Sequence, residues 1–122
     1  MKRQKICIIG GGLTGLVTAI ALSKLNCEID LIVNKNKQIG NTNRTTAISQ
    51  NNYEFLTELG IANLIKKIVW PCFEIKLYAN DKKNNFFNML NMSNDSKKNK
   101  VFYMLQNYKI IKIMEEKIKK IK

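Results

Sequence analysis

The chain has 122 residues, with 21 Lys and Arg against nine Asp and Glu, no histidine and a formal charge of +12. That length fits one domain, and an apolar content of 45% is enough for a modest core. Lack of imidazole excludes Ser-His, Cys-His and His-metal chemistry within the chain, and no apolar run is long enough to span a bilayer.

The first predicted element is a strand from Lys5 to Ile9, which runs directly into Gly10-x-Gly12-x-x-Gly15. Beyond the glycines, Leu13, Leu16, Val17, Ile20, Ala21 and Leu25 recur at helical spacing, so the order is strand, tight turn, helix. Each glycine has a task in such a turn. Gly10 lets the chain reverse, Gly12 has no Cβ to hold off a pyrophosphate, and Gly15 lets the helix approach the strand closely. The unpaired N–H groups that open the helix, at Leu13 and Thr14, would receive the phosphates, and the helix dipole favours negative charge there. Lys2, Arg3 and Lys5 ahead of an apolar run also resemble a secretory leader, but three consecutive glycines and the polar Ser23-Lys24 argue against one.

A turn at Asn26-Cys27 leads to a second strand from Glu28 to Val33, which completes a right-handed parallel βαβ unit. In this fold the second strand should end in a carboxylate for the ribose hydroxyls; here it ends Val33-Asn34, and Asn34 is the residue left to bond a ribose. Lys35 to Asn43 reads as a polar loop. After Arg44-Thr45-Thr46-Ala47-Ile48, either Ser49 or Thr46 can cap a helix whose apolar side is Phe55, Leu56 and Leu59 and which Gly60 ends. Ile61, Leu64, Ile65 and Ile68 form a second short amphipathic set, broken at Trp70-Pro71.

From Phe73 the apolar period changes to two, with Phe73, Ile75, Leu77 and Ala79 alternating against polar residues. A turn over Asn80 to Asn84 and a returning strand from Phe86 to Leu90 make a hairpin. After a polar loop over Asn91 to Lys100, Val101 to Leu105 reads as a strand, and Asn107 as the cap of a helix running to the C-terminus. On that helix Ile110, Ile111, Met114, Ile118 and Ile121 share one side, while Lys109, Lys112, Lys117, Lys119, Lys120 and Lys122 crowd the rest. A core-facing stripe with a solvated Lys face is the favoured reading, and a membrane-surface helix the alternative. Only Arg3 and Arg44 are arginine and Lys is spread along the whole chain, so no nucleic-acid partner is predicted. Cys7, Cys27 and Cys72 are odd in number, far apart and without a C-x-x-C pair, which suggests reduced thiols in a cytoplasmic protein.

Taken together, Gly10-Gly11-Gly12-Leu13-Thr14-Gly15, Arg44-Thr45-Thr46-Ala47-Ile48-Ser49 and Leu56-x-x-Leu59-Gly60-Ile61 resemble the N-terminal third of the ubiquinone-biosynthesis hydroxylases. Those belong to the FAD-dependent aromatic-ring monooxygenases related to para-hydroxybenzoate hydroxylase. The resemblance implies FAD as cofactor, with its pyrophosphate at Gly10, Gly12 and Gly15 and with Arg44 beside a phosphate or ribose oxygen. It also implies the fold class: α/β, an incomplete Rossmann-like FAD-binding domain that starts as βαβ and adds a β-hairpin from the substrate domain and a C-terminal helix. Residues 1–70 would be the βαβ unit and following helices, 72–106 the hairpin and strand, and 107–122 the amphipathic helix. Complete relatives hydroxylate a polyprenyl-phenol ring, a substrate that would bring the protein to the inner-membrane surface.

Two segments depart from the family pattern. Val33-Asn34 stands where an acidic residue is usual, and Gln106-Asn107-Tyr108 where Glu-Asn-Arg is usual. Family enzymes are also much longer, and the later Gly-Asp flavin segment and most of the substrate domain have no counterpart here. A parallel sheet of two strands with one crossover helix leaves open edges, so the chain alone is expected to be marginally stable and inactive, and either completed by a separately encoded C-terminal half or a decayed fragment that does not accumulate. A small NAD(P)-binding protein and a basic membrane-interaction module are the competing readings.

Overall fold

A computed structural model describes residues 3–34, 43–93 and 100–121. Residues 35–42 of the loop expected over Lys35 to Asn43, 94–99 of that expected over Asn91 to Lys100, and residues 1, 2 and 122 lie outside the described residues; Asn91 to Ser93, expected in the loop, instead extend the hairpin strand that begins at Phe86. The chain opens with β1 (Gln4–Ile9), α1 (Leu13–Leu22) and β2 (Cys27–Ile32), and the two strands pair in parallel from Gln4↔Cys27 to Ile9↔Ile32. This is the βαβ unit read from the sequence, with β1 beginning one residue earlier than expected and β2 shifted back by one. The helix ends at Leu22, before Leu25, with Ser23 as its C-cap and the Ser23 hydroxyl donating to the Ile20 carbonyl at 2.7 Å. Leu25 is consequently in a turn and exposed rather than on the buried stripe.

The Arg44–Ser49 segment forms a strand, β3 (Thr45–Ile48), before α2 (Gln50–Glu58) and the single turn α3 (Ala62–Ile65). Ser49 is the cap of α2: its hydroxyl oxygen accepts the Asn52 N–H at 3.3 Å. Thr46 is not a cap; its hydroxyl donates to the Asn107 side-chain oxygen. Gly60, at φ +71°, turns the chain between the two helices. Trp70-Pro71, read as a break, belongs to a short strand, β4 (Trp70–Cys72). Pro71 is tolerated because β4 is an edge strand, where a missing N–H need not interrupt the sheet.

The hairpin follows as β5 (Glu74–Asn80) and β6 (Phe86–Ser93), antiparallel with a bulge next to Leu77 and Tyr78. Its turn is organised by the Asp81 carboxylate, which accepts the N–H groups of Lys83 at 2.7 Å and Asn85 at 2.9 Å. No residue of β5 or β6 is buried. The chain then enters β7 (Phe102–Gln106), the central strand of an antiparallel sheet in the order β3-β7-β4, and α4 (Asn107–Ile118). The cap of α4 is Gln106, not Asn107: Asn107 is the first helical residue, and its N–H donates to the Arg44 carbonyl at 2.9 Å.

The core joins the elements into one body. Leu16 and Ile20 of α1, Leu56 and Leu59 around the end of α2, Ile61 and Ile65, Leu105 of β7, and Ile110 and Met114 of α4 form one buried cluster. Phe55 and Leu64 were expected on the apolar sides but are 43% and 50% exposed. Each precedes a buried residue, Leu56 or Ile65, and adjacent helical residues point about 100° apart. Ile121 lies beyond the end of α4 and is 39% exposed. Among the described residues no helix is long and apolar enough to cross a membrane.

Candidate functional site

The site is built from backbone. Gly10 has φ +123°, a conformation that only glycine adopts without strain, and it carries the chain out of β1. Its N–H donates to the Ile32 carbonyl at 2.9 Å, so the elbow is tied to the end of β2. Gly12 is the N-cap of α1 in extended conformation, and its carbonyl takes the first helical hydrogen bond, from Leu16 N–H at 3.0 Å. Among the described residues no protein acceptor takes the N–H groups of Gly12, Leu13 or Thr14, and no acidic side chain stands in the first turn of α1. These donors carry the positive end of the helix dipole.

A methyl group added at each glycine distinguishes their tasks. At Gly10 and Gly12 nothing lies within 4 Å of where a Cβ would be, whereas a Cβ on Gly15 would sit 2.0 Å from the Gly10 carbonyl oxygen. Gly15 is therefore required for the helix to meet the strand, and Gly10 and Gly12 keep open a cradle that a Cβ would fill. The cradle lies at the surface, with Gly12 and Thr14 exposed. A pyrophosphate fits this donor set: bare amides, favourable dipole and no competing carboxylate.

Asn34 follows two residues after the end of β2, exposed and on the elbow side of the sheet. Asp30 is no substitute for the missing terminal carboxylate. It lies within β2 with its carboxylate 3.3 Å from Lys5 Nζ, and Glu28 is 3.2 Å from the same ammonium. The hydrogen bonds of Lys5, first to Glu28 and then to Asp30, raise its pKa.

Arg44 is exposed and sits where β3 begins, its carbonyl holding the first N–H of α4. The Thr46–Asn107 bond closes the same junction from the side-chain side. Arg44 and the start of α4 are thus fastened together, while among the described residues no hydrogen bond links Arg44 to the elbow. Gln106 is opposite Thr45 in the sheet, and its side-chain oxygen is buried without a hydrogen-bond partner. A buried acceptor left unpaired is costly unless a ligand or water meets it. Sequence reading noticed Gln106 only as a departure from a family pattern; a polar residue closing the apolar strand Phe102 to Leu105 was the available signal.

A cleft of about 400 Å³ lies elsewhere, between α1, β2 and the end of α4, lined by Ala19, Cys27, Leu31 and Ile118 among others. It contains none of the residues predicted for the cofactor. Among the described residues no group of His, Cys, Asp or Glu could hold a metal ion.

Comparison with known proteins agrees with this geometry. The chain superposes on p-nitrophenol 4-monooxygenase PnpA from Pseudomonas putida DLL-E4 with a TM-score of 0.66 and 17% identity, over 98% of this chain and 30% of that one. It superposes on Klebsiella pneumoniae HpxO, solved with FAD and uric acid, with a TM-score of 0.63 and 16% identity, over 93% of this chain and 28% of that one. For the flavin-dependent monooxygenase PieE, solved with FAD and substrate, the TM-score is 0.68 and the identity 19%, over 97% of this chain and 22% of that one. The chain therefore spans less than a third of the length of these solved structures. No curated protein sequence matches it. The family model described as "FAD binding domain" matches residues 3–120. By that match, and by an α/β fold shared with the N-terminal FAD-binding part of flavin monooxygenases, the chain belongs to the FAD binding domain family.

Proposed function

We propose that this chain is the FAD-binding N-terminal part of a flavin-dependent monooxygenase that hydroxylates a polyprenyl-phenol in ubiquinone biosynthesis, and that it is not catalytic by itself. The observation that carries the reading is the open glycine cradle, whose free amides and missing Cβ atoms match a pyrophosphate. In this assignment Gly10, Gly12, Leu13, Thr14 and Gly15 hold the two phosphates, Asn34 bonds the adenosine ribose, and Arg44 lies beside a phosphate or ribose oxygen. Gln106 offers its unpaired acceptor to a donor group of the cofactor. Bound FAD supplies the oxygen chemistry that hydroxylates a ring, which is why a chain without histidine is compatible with it.

The substrate class rests on the Arg-Thr-Thr-Ala segment ahead of the Leu-Gly helix, and the phenol named for PnpA is of the same ring type. A separately encoded C-terminal half would supply the rest of the flavin site and the surface that faces the hairpin. A polyprenylated substrate would bring the assembly to a membrane, where the exposed Lys112, Lys119 and Lys120 suit anionic headgroups. The family match favours FAD over the NAD(P) reading.

The test is binding. Purified chain, alone or with a candidate C-terminal half, should show flavin absorbance and a rise in melting temperature with FAD that NADH does not match. Absence of both would remove the assignment.

A further inference from the structure

We propose that Val33 is the positioning residue of the dinucleotide site: it holds the glycine elbow at a set distance from Asn34 by occupying the space that a side chain at residue 11 would need. The inference rests on the FAD reading above and extends it to a residue outside the glycine motif.

Gly11 has no task toward a phosphate, because its place in Gly10-x-Gly12 is the free one. Yet a Cβ there would fall 2.8 Å from Val33 Cγ1 and 3.2 Å from Val33 Cβ. Valine is stiff about χ1, and rotating it would leave the Cβ contact unrelieved. Gly11 is therefore glycine because Val33 is seated on it. Val33 is 42% exposed, so burial in the core does not account for its placement. One residue earlier, the Ile32 carbonyl accepts the Gly10 N–H at 2.9 Å. Two consecutive residues at the end of β2 thus grip two consecutive residues of the elbow, one through backbone and one through side chain. Asn34 comes next, so this double contact sets where the ribose-bonding residue stands relative to the amides of Gly12 to Thr14. The phosphate and ribose contacts of the ADP half then behave as one rigid unit, which lowers the ordering cost of binding.

Calorimetric titration with ADP, alongside melting temperature, tests this on the full chain and on Gly11→Ala, Val33→Ala, Val33→Thr and the double variant Gly11→Ala/Val33→Ala. Gly11→Ala should weaken ADP about tenfold, and the double variant, which loses the 2.8 Å Cγ1 contact but keeps the 3.2 Å Cβ one, should recover part of that loss, to no better than Val33→Ala alone. Val33→Ala should weaken ADP severalfold with little change in melting temperature, while Val33→Thr, which keeps the shape, should bind as the parent does. If Gly11→Ala does not fold, a double variant that folds and binds ADP supports the pairing equally well. ADP binding by Gly11→Ala equal to the parent's, or a double variant no better than Gly11→Ala, overturns the positioning role. A parent chain that binds neither ADP nor FAD overturns the FAD reading itself, and the positioning role with it.

Discussion

Gly12 and Gly15 occupy one short loop but face opposite consequences if enlarged. Gly12→Ala places its methyl in open space, so melting temperature should fall far less than for Gly15→Ala while FAD affinity falls at least about tenfold, measured by flavin fluorescence titration. Gly15→Ala puts a methyl 2.0 Å from a backbone oxygen that cannot move aside, and should cost more than about 3 kcal/mol in denaturant unfolding. Equal effects of the two substitutions on stability would contradict a cradle kept open for a ligand. Gln106 offers a complementary test, since its buried oxygen has no partner. Gln106→Leu should leave stability unchanged or raise it by up to about 1 kcal/mol while weakening FAD, because the unpaired acceptor is a burden to the unliganded chain alone. Both glycines were legible in the sequence by spacing. Gln106's orphaned oxygen was not, because burial of a single atom depends on how β3 and α4 close around it.

The best-predicted elements were those with a strong period. Helix α1 and the buried stripe of α4 follow directly from apolar spacing, and Met114→Ala should cost about 2–5 kcal/mol by opening a cavity at a fully buried site. Ser49 as a cap was likewise legible from a hydroxyl residue ahead of a helical run; Ser49→Ala should cost about 1 kcal/mol. Strands β3 and β4, four and three residues long, are too short to announce themselves and exist because β7 lies between them. The hairpin turn gives the pH prediction. Hydrogen bonds from Asn85, its backbone N–H foremost, lower the Asp81 pKa. A depressed carboxyl pKa contributes stability that is present above the unfolded value and lost as pH falls through the folded one. Hydrogen exchange at the Asn85 amide, corrected for its intrinsic pH dependence, should therefore lose protection below about pH 4, and Asp81→Ala should remove the same protection at neutral pH. Lys5 is shifted in the opposite sense, so the contribution of its ammonium to the pairing with Glu28 and Asp30 is lost as pH rises and the ammonium deprotonates.

At the scale of the molecule, one core holds α1, α2, α3, α4 and β7 together, while the hairpin contributes nothing buried. Phe86, Met89 and Trp70 are 76%, 66% and 63% exposed, and Ile9 at the end of β1 is 83% exposed. Apolar exposure on this scale marks a surface that something covers, or a liability to association. The native chain should bind a hydrophobic fluorescent dye, and Phe86→Ser with Met89→Ser should cut that signal without lowering the melting temperature, since neither residue supports the core. A drop in melting temperature would show that the hairpin packs on the core after all.

The sequence alone determined the strand, elbow and helix, because glycine spacing and a 3.6-residue period are local properties that no distant contact needs to supply. The expectation of a dinucleotide site came from the same local motif, while FAD rather than NAD(P) came from the family resemblance and the family match. Only the tertiary structure decided that the Arg44 segment is a strand, that its carbonyl holds the start of α4, that Gln106 buries an unpaired oxygen, and that Val33 rests on Gly11. Each of those depends on residues 22 to 63 positions apart meeting in space: the pairing of β1 with β2 brings Val33 to Gly11, and the pairing of β7 with β3 brings Gln106 and the start of α4 to the Arg44 segment.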